Sequence, residues 1–180
     1  MPRGSRPAAL ALAVAAVLVV PACGGNQFAP EPPPAGSPAP TVRPPDSGPV
    51  KITVQNATDI KLRPSVRVNT GALPTKLETT DLIQGTGRTA TPSDNVTVQY
   101  VGAIARTGQE FAASWDDGNP VPFQLANVIP GFRNGIAGMK EGGRRQIVMP
   151  PDQAYGAQGY GSLIGPNETL IYIVDLVKIT

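Results

Sequence analysis

The sequence predicts an α+β domain that runs from Lys76 to the C-terminus and combines several antiparallel strands with one short helix. In this part of the chain, short β-prone stretches are separated by turn residues, which is typical of antiparallel strands. Only residues 130–138 repeat their apolar side chains at helical intervals. About a hundred residues suffice for one small core, so we expect the helix to pack across one face of a single sheet.

Five stretches carry the strand pattern. The first alternates apolar and more polar residues, with one face formed by Val96, Val98 and Tyr100. A turn at residues 106–109 precedes a return strand that begins at Glu110 and Phe111. The other predicted strands are residues 121–125, 146–149 and 169–179. In the last strand, one face is formed by Leu170, Tyr172, Val174 and Leu176.

The predicted helix has the residues of a helix start, face and stop. Pro130 fits the first turn, where its missing N–H costs no hydrogen bond. A spacing of i, i+4 and i+7 places three apolar residues on one side, namely Phe132, Ile136 and Met139. The helix is expected to stop near Gly138 or Gly142.

The composition argues against several kinds of site. The chain has no histidine and one cysteine, which removes Ser-His and Cys-His nucleophiles and an internal disulfide and makes a zinc site improbable. The formal charge of +2 becomes neutral, with 13 basic and 13 acidic residues, once Arg3 and Arg6 of the leader are left out. We therefore expect no metal, no cofactor and no nucleic-acid partner.

Residues 1–22 are interpreted as a lipoprotein signal peptide. Arg3 and Arg6 precede an apolar run at residues 8–20, which is shorter than the roughly 20 residues that a spanning helix needs. The run ends in Val-Pro-Ala-Cys, which resembles a bacterial lipobox with Cys23 as the lipid-bearing residue. Ordinary secretion with a free Cys23 is the alternative, but the only cysteine stands where lipid attachment requires it. The expected location is extracytoplasmic, with the lipid holding the chain on the bacterial cell membrane.

Residues 23–49 are predicted to be a disordered, proline-rich tether. They contain nine prolines, all between Pro30 and Pro49, and such sequence favours extended polyproline II over a buried core. At about 3.1 Å per residue it reaches on the order of 80 Å; a PxxP ligand is the alternative use. Residues 50–75 are interpreted as an irregular arm that can pack on the domain, with β-prone pieces at 51–54 and 65–68.

Four motifs carry a family resemblance: VQYVG at 98–102, VIPGF at 128–132, GRRQIVMPPDQAYGAQG at 143–159 and GPNETLIYIVDLVKI at 165–179. Together and in this order they resemble the macrolide-binding FKBP family of peptidyl-prolyl isomerases, a more specific signal than any one pentapeptide. The resemblance implies a curved antiparallel sheet wrapped around one short helix, with a pocket between them. It places the isomerase domain at residues 76–180, with its motif core at 93–180.

The resemblance also implies which residues form the proline pocket. The implied lining is Tyr100, Phe111, Val128, Ile129, Phe132, Tyr155 and Tyr172. The implied catalytic residues are Tyr155 through its hydroxyl, Ile129 through its backbone N–H, and Tyr100. Phe132 stands where the family commonly has Trp, and an overhanging loop carries Tyr160, Leu163 and Ile164. A plain core position is the alternative for Val98 and Val128, and it is the preferred interpretation for Ile136 and Ile147.

Two departures from the family pattern concern charge beside the pocket. Ala112 follows Phe111 where the family usually has Asp, and Asp117 replaces a frequent Arg partner. Asp116 is a candidate to compensate for the missing carboxylate, although it lies four residues later in the chain. Tyr172 replaces a common Phe and adds a hydroxyl that needs a partner. Beyond the pocket, Arg144 and Arg145 are expected at a solvated sheet edge, because neighbours on a strand point to opposite faces.

These observations predict a membrane-tethered isomerase that assists the folding of exported proteins. Its expected partners are proline-containing exported polypeptides, with macrolides as a further ligand class, and it is expected to be a monomer. The alternative is a binding module or chaperone with the same pocket and little turnover, as Ala112 suggests. A structural envelope lipoprotein explains Cys23 and the tether but not the pocket motifs.

Overall fold

The computed structural model describes residues 48–180. Its strands are β1 (Ile52–Gln55), β2 (Ser65–Val68), β3 (Glu78–Ile83), β4 (Asn95–Ile104), β5 (Glu110–Ala113), β6 (Val121–Gln124), β7 (Arg144–Met149) and β8 (Leu170–Ile179). Its α-helix is α1 (Pro130–Ile136), and its 3-10 turns are Ser114–Asp116, Leu125–Asn127, Pro151–Gln153 and Gly156–Gln158. The predicted signal peptide, Cys23 and almost all of the predicted tether lie outside the described residues.

Strands β3 to β8 form one antiparallel sheet in the order β3-β7-β8-β4-β5. Strand β6 pairs with the first half of β4, and β5 pairs with its second half. Each of the five predicted strands is present, and the predicted α+β class is confirmed. Register shifts interrupt three of the pairings, and such bulges bend a strand and increase its twist.

Two glycines allow α1 to lie close against β7. A Cβ added to Gly135 lies 2.6 Å from two carbons of Ile147, and one added to Gly131 lies 2.8 Å from the Cβ of Met149. The helix starts at Pro130 as predicted and ends two residues before the predicted limit, ahead of Gly138 with its φ of +82°. Ile136 and Ile147 are fully buried, as expected of core residues.

The two faces of the sheet carry two separate apolar clusters. The face toward α1 includes the predicted row Leu170, Tyr172, Val174 and Leu176, so that prediction is confirmed. The opposite face includes Ile171 and Ile173 of β8 and is covered by Val66 and neighbouring side chains of the β1–β2 pair. Residues 50–75, interpreted from sequence as irregular, therefore contain an ordered antiparallel pair. The apolar side chains that alternate along this pair become buried only by packing against the main sheet.

Arg144 is buried, so the prediction of a solvated sheet edge is wrong for this residue. Its guanidinium binds the Asp175 carboxylate through Nε at 2.5 Å and Nη2 at 2.7 Å. The same group donates to backbone carbonyls of the β1–β2 connection, those of Asn56, Asp59 and Leu62. An arginine is tolerated inside because a carboxylate and three carbonyls engage its donors.

The same prediction is wrong for Arg145, which is also largely covered. Its side chain is 12% exposed and pairs with Asp81 of β3 at 2.5 Å. It also donates to the carbonyls of Gly135 and Ala137 at the C-terminal end of α1, where a cation is favoured. No helix within residues 48–180 has the length and apolarity needed to cross a bilayer.

Candidate functional site

A cavity of about 370 Å³ lies between the helix side of the sheet, α1 and the loop that follows β7. All ten pocket and loop residues assigned from the resemblance line this cavity: Tyr100, Phe111, Val128, Ile129, Phe132, Tyr155, Tyr160, Leu163, Ile164 and Tyr172. Phe123, Asn127 and Ala112 complete the lining. The structure therefore brings together side chains from four strands, the helix and two loops.

Phe132 lies at the base of the cavity, and three rings pack edgewise against it. The ring centroid of Tyr172 is 5.2 Å away, that of Phe123 5.5 Å and that of Tyr100 6.5 Å. Edge-to-face contacts at these distances are favourable and fix ring orientation. Phe132 is only 5% exposed. The three edge contacts fix the orientation of the ring against which a ligand packs.

Phe111 forms a side wall because β5 is bulged at this point. Its neighbours Glu110 and Ala112 pair with Ala103 and Gly102, and Phe111 is the extra residue between them. The Phe111 ring contacts Tyr172 edgewise at 5.6 Å. A Cβ at Gly102 lies 2.7 Å from this ring, which explains the glycine of the VQYVG motif.

The loop after β7 forms the opposite wall. The rings of Tyr155 and Tyr160 stack at 4.9 Å, and the backbones of Tyr160 and Ile164 exchange two hydrogen bonds. Ile164 is buried, whereas Tyr160 and Leu163 are 62% and 60% exposed. This wall therefore offers an exposed apolar rim above an enclosed base.

Val128 and Ile129 lie between the Leu125–Asn127 turn and α1. The Ile129 carbonyl accepts hydrogen bonds from the N–H groups of Phe132 and Arg133, both at 3.1 Å. Its own N–H donates to no residue within 48–180. Backbone N–H groups are almost always paired or solvated, so this donor of a cavity-lining residue is left to water or to a ligand.

Charge is excluded from the cavity, whose described lining has no Asp, Glu, Lys or Arg. Burial raises the pKa of the Tyr172 hydroxyl far above its usual range, and the neighbouring Tyr155 adds to this. Burial likewise raises the pKa of Tyr155 and of Tyr100. The three hydroxyls remain protonated at neutral pH and can therefore donate hydrogen bonds.

Asp116 does not supply the missing carboxylate. Its side chain is 68% exposed and pairs with Arg63 at 3.3 Å, and it does not line the cavity. The 3-10 turn that follows β5 carries this carboxylate outward. Asp117 is also exposed, and its charge is a secondary cause of the raised pKa of Tyr100.

Sequence reasoning did not single out Phe123 and Asn127. Phe123 lies in a predicted strand, and its intermediate burial next to an exposed Pro122 follows the alternation of that strand. That alternation was a signal that its ring faces inward. Asn127 ends a 3-10 turn and offers no comparable signal. Within residues 48–180, no three His, Cys, Asp or Glu residues are grouped so that they could hold a metal ion.

Comparison with known proteins identifies related chains. The family model described as FKBP-type peptidyl-prolyl cis-trans isomerase matches residues 86–177. A probable FK506-binding protein of Corynebacterium glutamicum is 43% identical over 116 residues, which are 64% of this chain and 98% of that protein. The outer membrane protein MIP of Legionella longbeachae is 37% identical over 107 residues, 59% of this chain and 46% of that protein.

A solved structure is also similar to this chain. The crystal structure of FkpA from Escherichia coli superposes with a TM-score of 0.55 at 38% identity and covers 58% of this chain and 48% of that one. The family match spans β4 to β7, α1, β8 as far as Val177 and all of the cavity lining. The chain therefore belongs to the FKBP-type peptidyl-prolyl cis-trans isomerase family.

Proposed function

We propose that this chain accelerates rotation about X-Pro peptide bonds in exported polypeptides, and that the cavity above Phe132 is where the bond turns. The observation that supports this most is the combination of a charge-free aromatic lining with the free N–H of Ile129. A cavity of about 370 Å³ suits a proline ring and its flanking amides.

The chemistry needs no nucleophile. Amide resonance opposes rotation with a barrier of about 18–20 kcal/mol, and the bond takes tens to hundreds of seconds to turn unaided. The twisted transition state has lost that resonance and is less charge-separated than the planar amide. A water-poor apolar cavity therefore disfavours the planar form more than the twisted one, which lowers the barrier.

Each side chain has a role in this proposal. Ile129 N–H and Tyr155 O–H donate to substrate carbonyls, and Tyr100 is the third hydroxyl at the reacting amide. The proline ring packs on the apolar lining, formed by Phe111, Val128, Phe132 and Tyr172. The exposed rim holds the flanking residues through Tyr160 and Leu163, with the buried Ile164 beneath them.

An isomerisation assay on a proline-containing tetrapeptide tests the proposal. The chain from Gly24 onward should accelerate the reaction, and FK506, the ligand named for its Corynebacterium relative, should compete with the peptide. Tyr155→Phe removes one hydrogen bond and should lower kcat/KM roughly two- to tenfold. A chain with no rate above background contradicts the isomerase proposal.

The second candidate is a binding module of the same fold, which Ala112 favours because no carboxylate takes its place in the cavity. Peptide binding without turnover supports this candidate. Ala112→Asp should then raise the rate, because a carboxylate at the cavity wall can orient the amide. Ala126→Asp is the control: it adds the same charge at an exposed position outside the lining. If Ala112→Asp leaves the rate unchanged, the missing carboxylate does not explain weak activity.

We further propose an extracytoplasmic monomer anchored to the bacterial cell membrane by lipid on Cys23. The sequence around Cys23 supports this, as does the name of the Legionella relative, an outer membrane protein. Cys23→Ser should move the protein from the membrane fraction to the soluble fraction. Retention of the variant on membranes contradicts the lipid assignment, and sedimentation of the soluble form tests the monomer.

A further inference from the structure

Arg63 lies outside the residues that the family model matches, yet its side chain pairs with Glu110, the residue before Phe111 of the cavity lining. It lies in the β1–β2 connection and binds Glu110 at 2.7 Å and Asp116 at 3.3 Å. These two carboxylates flank the segment 110–116, which contains β5 and the 3-10 turn after it. One guanidinium therefore joins both ends of the segment that carries Phe111 and Ala112.

This segment has weak support from the sheet. Strand β5 is an edge strand that pairs with β4 at three positions and is interrupted by the bulge at Phe111. A bulged residue loses its ladder pairing, so hydrogen bonding from β4 does not fix the Phe111 backbone. On the inner side, Ser114 holds the end of β5 by accepting from the Tyr100 N–H at 2.8 Å. Arg63 is the contact on the outer side.

The backbone of Arg63 is itself held in place. The buried guanidinium of Arg144 donates to the carbonyl of Leu62 at 3.0 Å, and the side-chain amide of Asn56 donates to the carbonyl of Arg63 at 2.9 Å. Arg144 is fixed in turn by Asp175 of β8. A continuous set of contacts thus runs from the centre of the sheet through the arm to the cavity wall.

We propose that Arg63 is a positioning residue for the cavity: it holds segment 110–116 so that Phe111 keeps its place against the bound proline. This inference rests on the proposed function. It also makes the arm part of the binding site, since the residue that orients one wall comes from the β1–β2 connection.

Three variants of the chain from Gly24 onward test this role. Arg63→Met removes both ion pairs and should raise KM for the tetrapeptide about two- to fivefold with little change in kcat, the size expected for exposed ion pairs. Arg63→Lys keeps the charge and should restore part of the loss. Arg67→Met is the control: the side chain of this exposed arginine of β2 makes no ion pair or hydrogen bond with a residue of 48–180, and its variant should match the wild type.

Two further measurements separate positioning from general stability. Amide hydrogen exchange in Arg63→Met should accelerate within segment 110–116 and stay unchanged in β7 and β8. Raising NaCl from about 0.1 to 1 M should increase the wild-type KM toward that of Arg63→Met, because salt screens exposed pairs, and should leave the variant unchanged.

The outcomes are distinguishable. Wild-type KM and wild-type exchange in Arg63→Met overturn the proposal, as does exchange that accelerates evenly over the whole sheet. A wild-type chain without isomerase rate contradicts the proposed function instead. In that case the Arg63 variants are compared by their Kd for the peptide and by amide hydrogen exchange in segment 110–116.

Discussion

The buried arginine of β7 offers the sharpest test of how the arm and the sheet are joined. Arg144→Met keeps much of the side-chain length and removes the charge. It leaves the Asp175 carboxylate, 2% exposed, without its partner and frees the carbonyls of Asn56, Asp59 and Leu62. Breaking a buried pair by removing one partner costs about 3–5 kcal/mol. Small domains have a free energy of unfolding of about 5–15 kcal/mol, so much of the stability should be lost.

Urea unfolding, followed by the fluorescence of Trp115, measures this loss. The expected result is a lower midpoint at an unchanged slope. The double variant Arg144→Met with Asp175→Leu removes both charges and should recover much of the loss, because an apolar replacement of a buried pair is often neutral. Arg88→Met is the control: its ion pair with Asp94 is at the surface, with Arg88 52% exposed, and such pairs contribute little.

If Arg144→Met lowers the free energy of unfolding by less than about 1 kcal/mol, the pair contributes no more than a surface ion pair. That result contradicts the cost assigned to breaking a buried pair. It means that water reaches Asp175 and the three carbonyls once the guanidinium is absent. A double variant that is no more stable than Arg144→Met contradicts the role given to the unpaired carboxylate. The loss of stability then comes from the carbonyls of the arm.

Three further predictions follow from the packing and the buried hydroxyls. Gly102→Ala places a Cβ 2.7 Å from the Phe111 ring. Because a ring at the cavity wall can move, the variant should lose more free energy of peptide binding than free energy of unfolding in urea; equal losses contradict this. Gly135→Ala places a Cβ 2.6 Å from Ile147 and should destabilise by about 1–3 kcal/mol, and a wild-type midpoint contradicts the close helix packing. Burial raises the pKa of Tyr100, Tyr155 and Tyr172 above the usual value of about 10. The unfolded chain then loses these protons first, so the contribution of these tyrosines to the free energy of unfolding should be constant below about pH 10 and fall above it, with a shallower fall in Tyr172→Phe.

The local pattern of the chain was enough to predict most of the isomerase fold. The alternation in β4 and β8 identified the strands and the row that faces the helix, since a strand has a period of two. Pro130 and the spacing of Phe132 and Ile136 identified α1. The motifs indicated all ten assigned lining residues, because the resemblance supplied the tertiary proximity that spacing alone does not contain.

The errors concern residues whose environment is set by a distant segment. Arg144 and Arg145 look like surface charges on a strand, but their partners lie far along the chain in Asp175, the β1–β2 connection, Asp81 and the end of α1. Asp116 looked able to reach the cavity, and the turn after β5 carries it outward to Arg63. The pattern of neighbouring residues in the sequence does not predict pairings between such distant segments.

The amino-acid sequence was enough to predict the α+β class, five of the six strands of the main sheet and, through the family resemblance, the aromatic character of the pocket. These depend on periodicity and on motifs that are read within a few residues. The tertiary structure was needed to show that residues 50–75 contain an ordered β-pair, that this pair covers the back of the sheet, and that Arg144 is buried beneath its connection. The tertiary structure alone pairs Arg63 with Glu110, the residue before Phe111 of the cavity lining. The physical reason is that burial of the arm and of these charges is favourable only when sheet, arm and carboxylates are all in place.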